Sequence, residues 1–221
     1  MTNLFSIFDP SSSNYFSLNW ISLFLLFMYT PPIYWTIPSR ISIMFNILFS
    51  SINKEIYNNI NKSNLKTLIM FFSMFWFIMM NNLLGLYPYI FTATSHISIT
   101  VSLALPMWLL FMIYGWMNMT SHMFTHLVPL GTPLMLSSFM VLIESVSNII
   151  RPLTLAVRLA ANMVAGHLLL SLLSNIYEKI LFSFILSFPI LIALLILEYA
   201  VAMIQSYVFI TLLSLYLTEI N

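Results

Sequence analysis

Two apolar stretches near the end of this chain, residues 134–173 and 180–217, are 40 and 38 residues long. As helices rising 1.5 Å per residue, each would run about 60 Å. The hydrocarbon layer of a bilayer is only about 30 Å thick. A straight helix of that length inside lipid must lean far beyond the usual tilt of roughly 20°. The alternative is a break, and Pro152 and Pro189 mark candidate kinks. The short polar run Ser174-Asn-Ile-Tyr-Glu-Lys179 reads as the link that makes the pair a hairpin. Two long, strongly tilted helices side by side present a broad face, which suits contact with something large.

The rest of the chain agrees with a membrane setting. Of its 221 residues, 61% are apolar and 6% are charged, against about 25% charged in a soluble domain. The expected fold is a single all-α integral membrane domain over residues 1–221. It has about five transmembrane helices and one interfacial amphipathic helix. Residues 15–35 read as the first span. Residues 40–66 hold Arg40, Lys54, Lys62 and Lys66, four of the seven basic residues. They alternate apolar patches with Asn, Ser and Lys, as a helix lying in the interface does. By the positive-inside rule, that side faces the compartment of synthesis. Residues 68–117 read as a helical hairpin, with Phe71, Phe72, Phe75, Trp76 and Phe77 assigned to lipid contact and helix packing. Residues 118–133 read as a loop, and residues 134–217 as the long tilted hairpin.

Several classes of function are excluded. The net charge of +1 and the lack of a dense basic cluster argue against a nucleic-acid partner. There is no cysteine, hence no thiolate metal site or disulfide. His122 and His126 have ligand spacing, but a loop without a third ligand gives no metal site. No glycine-rich phosphate loop is present, so no nucleotide chemistry and no cofactor is expected. The first residues show neither a signal peptide nor an Arg-rich transit peptide. No internal repeat of the kind many secondary transporters carry is found.

Arg158 lies inside the first of the long stretches, where a guanidinium costs at least roughly 3 kcal/mol and cannot shed its proton. At 100° per residue, Glu144 and Asn162 fall about 40° from Arg158 and Arg151 about 20°, giving one polar stripe; Asn148 is about 80° away. His167 falls on the opposite side. Glu198 and Gln205, seven apart on the last helix, share a face flanked by Tyr199 and Tyr207. Carboxylates and an imidazole spread along a membrane fit a proton route, since both can take and release protons once their surroundings adjust them. Arg158 would act as a fixed barrier. The small residues Ala156, Ala160, Ala161, Ala165 and Gly166 allow another helix to approach closely. Plainer readings exist for some residues. Arg151 and Glu144 could form a structural ion pair, His167 could be a core histidine, and Asn162 and Gln205 could be helix glue.

The runs Leu155-Ala-Val-Arg-Leu-Ala-Ala-Asn-Met-Val-Ala-Gly-His-Leu-Leu169 and Leu197-Glu-Tyr-Ala-Val-Ala-Met-Ile-Gln-Ser-Tyr-Val-Phe209 closely resemble the subunit a family of the ATP synthase membrane sector. Asn82-Leu-Leu-Gly-Leu-Tyr-Pro88 and Ser214-Leu-Tyr-Leu217 are similar to further motifs of that family. The resemblance implies a stator proton channel without a catalytic site of its own, standing beside a ring of c subunits and held by a peripheral stalk and other membrane subunits. It implies that Arg158 is the essential fixed charge facing the ring. Glu144, Asn162, His167, Glu198 and Gln205 would serve two offset half-channels, with Asn148, Arg151 and Tyr207 as possible contributors. Protons would enter near Glu144, His167 and Glu198. In bacterial members the positions matching His167 and Glu198 carry the acid and the histidine the other way round, which implies that they work as a pair. The composition, rich in Ile, Leu, Phe, Met, Asn and Ser with four Gly, fits a mitochondrially encoded protein of the inner membrane. A proton-coupled secondary transporter and a proton-path subunit of a respiratory complex are the alternatives.

Overall fold

A computed structural model describes residues 4–13, 15–29, 36–59, 67–128, 133–179 and 183–220. Among these, every regular element is helical. After a 3-10 turn at Leu4–Phe8 and a second at Leu18–Phe24 come α1 (Leu26–Tyr29), α2 (Arg40–Asn59), α3 (Leu68–Gly85), α4 (Ile97–Asn118), α5 (Thr120–His126), α6 (Leu134–Lys179) and α7 (Ser183–Ile220). A third 3-10 turn, Ala93–Ser95, joins α3 to α4. Among the described residues, four segments are long and apolar enough to cross a membrane: Leu68–Gly85, Ile97–Asn118, Leu136–Asn175 and Phe188–Glu219.

The long segments stay helical throughout. α6 has 46 residues and passes through Pro152, and α7 has 38 and passes through Pro189. A missing N–H at one position removes one hydrogen bond, and the remaining ladder carries the helix past it. The 40-residue span Leu136–Asn175 of α6 makes about 60 Å of helix. Held within about 30 Å of hydrocarbon, it would incline about 60° from the membrane normal.

The structure corrects three details of the sequence reading. Residues 174–179, expected as a link, are the last turns of α6; no Gly or Pro interrupts them. Residues 180–182 lie outside the described residues. The expected loop 118–133 contains the short helix α5, with residues 129–132 outside the described residues. The first expected span, 15–35, is 3-10 over Leu18–Phe24 and α-helical only over Leu26–Tyr29. Its apolar helical part, Leu18–Met28, is shorter than the ~20 residues a crossing needs, and residues 30–35 lie outside the described residues. Lys62 and Lys66 of the expected interfacial segment also lie outside them.

The core follows helical periodicity. Phe71, Phe75 and Ile78 on α3, Ala104, Met107 and Phe111 on α4, Leu155, Ala156 and Leu159 on α6, and Phe209, Ile210 and Leu213 on α7 meet in one buried cluster. α4 packs on α6, α3 on α7, and α6 on α7. The aromatic run of α3 therefore serves protein packing. Phe71 and Phe75 are buried, while Phe72 and Trp76 make edge-to-face contacts with Phe49 and Phe45 of α2. Gly85 lets α3 approach the joining turn, since a Cβ there would stand 3.0 Å from the Thr92 methyl carbon.

All of this packing lies on one side of the α6–α7 hairpin. Along α6, Ile150, Leu153, Val157, Arg158, Ala161, Ala165, Leu169 and Leu172 are exposed. Along α7, Ile192, Ile196, Ala200, Met203, Ile204 and Tyr207 are exposed. The hairpin therefore has a covered face and an open one.

In lipid, helices associate through packing and interhelical polar contacts without a water-driven hydrophobic gain, so a cavity in this core should be felt. Phe71→Ala should lower the thermal midpoint of the purified protein in its native assembly, by a free-energy loss of about 3 kcal/mol. Met117→Ala, on an outward position 80% exposed, should leave the midpoint unchanged.

Candidate functional site

Arg158 sits on the open face. It is exposed because α6 turns its opposite side, Leu155, Ala156, Leu159, Ala160 and Met163, into the core. Among the described residues it makes no hydrogen bond or ion pair. Of the small residues around it, Ala156 and Ala160 are consumed by internal packing, with 1% and 3% exposure. Ala161 and Ala165 lie outward beside the arginine.

Nine residues on, about 14 Å along the helix, His167 points the other way and meets α7. Its Nε2 stands 3.8 Å from Glu198 Oε1. That is too long for a direct hydrogen bond. His167 Nε2 and both Glu198 carboxylate oxygens are buried, with no hydrogen-bond partner among the described residues. Buried polar atoms of this kind call for ordered water or a moving proton. Glu198 is there because it falls on the inward stripe of α7, four and eight residues before Ala202 and Ser206, both fully buried. The approach depends on Gly166. A Cβ at that position would collide with the Glu198 carboxylate and come within 2.8 Å of its Cδ. The ring of Phe8, from the first 3-10 turn, stands edge-on to His167 at 6.4 Å.

Arg151 lies seven residues before Arg158, about 10 Å along α6. It is ion-paired to Glu219 near the end of α7 and lies 3.8 Å from Glu144. Its guanidinium also stands 5.2 Å over the ring of Tyr216, within cation–π range. One cation between two carboxylates leaves the cluster with a formal charge of −1 when both acids are ionised. Asn148, Arg151 and Glu219 line a cavity of about 60 Å3 that also touches His126, enough for a few waters.

The predicted residues therefore separate. His167 and Glu198 are together. Glu144 and Arg151 are together. Glu144 does not join His167 and Glu198, because 23 residues, or about 35 Å of helix, divide them. Arg158 stands between the two groups, half a turn round the helix from His167. Counting eight residues from Gly166 toward Arg158, and eight from its contact Glu198 along antiparallel α7, gives Ser206; Gln205 thus sits near the level of Arg158. Asn162 is half-buried one turn from Arg158. Tyr207 faces Glu55 of α2, where the surface helix packs on the hairpin. The rings of His122 and His126 stand 6.3 Å apart, tilted by 41°, and no group of three or more metal-ligating side chains occurs among the described residues.

Sequence reasoning missed Glu219, Tyr216, Phe8 and the positioning role of Gly166. It also missed a buried polar patch at the other end of α3, where Asn82 and Thr94 are fully buried without hydrogen-bond partners among the described residues. Glu219 lies 68 residues from Arg151 in a final turn that reads as surface. Gly166 carried a signal, as one of only four glycines beside a membrane-embedded histidine.

Because the chain has no cysteine, the Gly166–Glu198 approach can be tested covalently. The Gly166→Cys/Glu198→Cys variant should lose both maleimide-reactive thiols under mild oxidation and regain them on reduction. A Cβ at position 166 would lie 3.1 Å from Glu198 Cγ, and disulfides need about 4 Å between Cβ atoms. An Arg158→Cys/Glu198→Cys control should keep both thiols free.

Residues 15–218 match the ATP synthase A chain family. Proteins named ATP synthase subunit a are similar over their whole length. That of Drosophila melanogaster is 58% identical over 226 residues, covering all of both chains. That of Anopheles gambiae is 53% identical over 227 residues, again covering all of both. That of Locusta migratoria is 54% identical over 224 residues, covering all of this chain and 99% of the relative. An all-helical membrane architecture, an arginine at membrane depth and these full-length matches converge: the chain belongs to the ATP synthase A chain family.

Proposed function

We propose that this ATP synthase subunit conducts protons through two offset half-channels, handing them to and from carboxylates on a rotating ring of neighbouring subunits, and that Arg158 separates the two. The carrying observation is the place of Arg158: within an apolar helix, on the open face, without a partner among the described residues. A guanidinium there stays charged and is costly alone. A carboxylate brought to it at the same depth by another subunit relieves both charges. The open α6–α7 face, with Ala161 and Ala165 beside Arg158, supports close approach of such a partner.

The rest follows from charge and depth. On one side, His167 and Glu198 form the inlet, where a buried carboxylate and imidazole can relay a proton through water. On the other, Glu144, Arg151 and Glu219, with Asn148 and the adjoining cavity, form the outlet. Asn162 and Gln205 flank the arginine level. A ring carboxylate that gains a proton at the inlet becomes neutral and can turn into lipid, where its charged form would be too costly. Arriving at Arg158 from the outlet side, a carboxylic acid is driven to ionise, because an adjacent cation favours the anion. Arg158 also repels a proton passing straight between the channels. With roughly 150 mV across the membrane, each proton delivers about 3.5 kcal/mol electrically. The composition and the insect relatives support the mitochondrial inner membrane as the location, with the basic α2 side toward the matrix.

In membranes carrying Arg158→Ala, ATP synthesis should fall at least about 100-fold, or roughly 2.7 kcal/mol, while the complex still assembles. Arg158→Lys should barely rescue it, because an ammonium lacks the rigid fork. Continued synthesis in both variants would reject the reading. Glu198→Gln and His167→Leu should each cut proton uptake by about tenfold or more. The double variant should be little worse than either, since residues that act as one unit are not additive.

A further inference from the structure

Between α2 and the start of α3 lies a cleft of about 400 Å3, within the roughly 300–1,000 Å3 range of small-ligand sites. Its two walls differ in chemistry. α2 contributes Asn53, Lys54, Tyr57 and Asn58, which at this spacing form two adjacent columns on one helix face. α3 contributes Ile69 and Phe72, the first of them 78% exposed. Ile69 is the second residue of the apolar helix Leu68–Gly85, so the cleft sits where headgroups give way to hydrocarbon. Lys54 is exposed and makes no ion pair among the described residues. The neighbouring carboxylate, Glu55, lies near the Tyr207 hydroxyl of α7. Residues 40–66 carry four basic side chains against that one acid.

We propose that this cleft binds an anionic phospholipid. The Lys54 ammonium meets the phosphate. The Asn53 and Asn58 amides and the Tyr57 hydroxyl donate to its oxygens. One acyl chain lies along Ile69 and Phe72. The charge calls for an anion, and the apolar wall calls for a chain attached to it, which a free phosphate lacks. The site lies apart from the proton residues and does not depend on their assignment.

The test uses the intact complex in phosphatidylcholine vesicles doped with photoactivatable phosphatidylglycerol, followed by peptide mapping. Labelling should fall on residues 53–58 and 69–72. It should drop about fivefold in Lys54→Gln, the equivalent of roughly 1 kcal/mol for one basic side chain near an anionic surface, and persist in Lys54→Arg. Millimolar inorganic phosphate should not compete. Equal labelling by a photoactivatable phosphatidylcholine, indifference to Lys54→Gln, or full competition by inorganic phosphate would overturn the proposal. So would finding the cleft occupied by a neighbouring subunit, with no lipid label.

Discussion

A positive charge that cannot be discharged, held on the open side of a helix built for lipid, is the constraint on which the rest of the structure depends. Arg158 has no counter-ion among the described residues, and its own helix spends the opposite face on packing. In the proposed function, the charge is met from outside the chain. Two other charged residues of the long hairpin, Arg151 and Glu198, are placed differently. Arg151 has Glu219, Glu144 and the Tyr216 ring around it. Glu198 is turned inward toward His167. Among these, Arg158 alone faces outward without a partner, which is where an exchange with a moving carboxylate requires it.

The division of α6 and α7 into a covered and an open face gives the mechanism its geometry. α3 and α4 occupy one side through an aromatic and aliphatic core, and this fixes which residues are left exposed. Helical periodicity then sets His167 half a turn from Arg158, so the inlet pair is screened from the open face by the helix itself. Gly166 lets Glu198 press against the α6 backbone at that point. The outlet cluster lies toward the N-terminal part of α6, beyond the arginine. Two polar groups on one continuous helix, separated by a fixed cation, support the proposal of two channels that do not join.

Much of this was legible in the sequence because lipid punishes charge and broken backbone alike. The length of residues 134–173 and 180–217 announced the long hairpin, and the 3.6-residue period put Arg158 and His167 on opposite sides. What stayed hidden depends on contacts across the chain. No local pattern joins Glu219 to Arg151, whereas the Glu144–Arg151 pair was open to the sequence through their seven-residue spacing. The aromatic run of α3 could have faced lipid or protein until α2, α4 and α7 were in place around it. The helical continuation through residues 174–179 is hidden because polar side chains suggest a turn, although nothing there breaks the backbone.

The most direct test of the central claim asks which face of α6 meets the ring. Single cysteines at Ala161 and Ala165, on the open side, and at Ala156 and Ala160, on the buried side, can each be paired with a cysteine near the mid-membrane carboxylate of the ring subunit and oxidised in the native membrane. The account predicts crosslinks from positions 161 and 165 and none from 156 and 160. Crosslinks from the buried pair, or from neither, would contradict it.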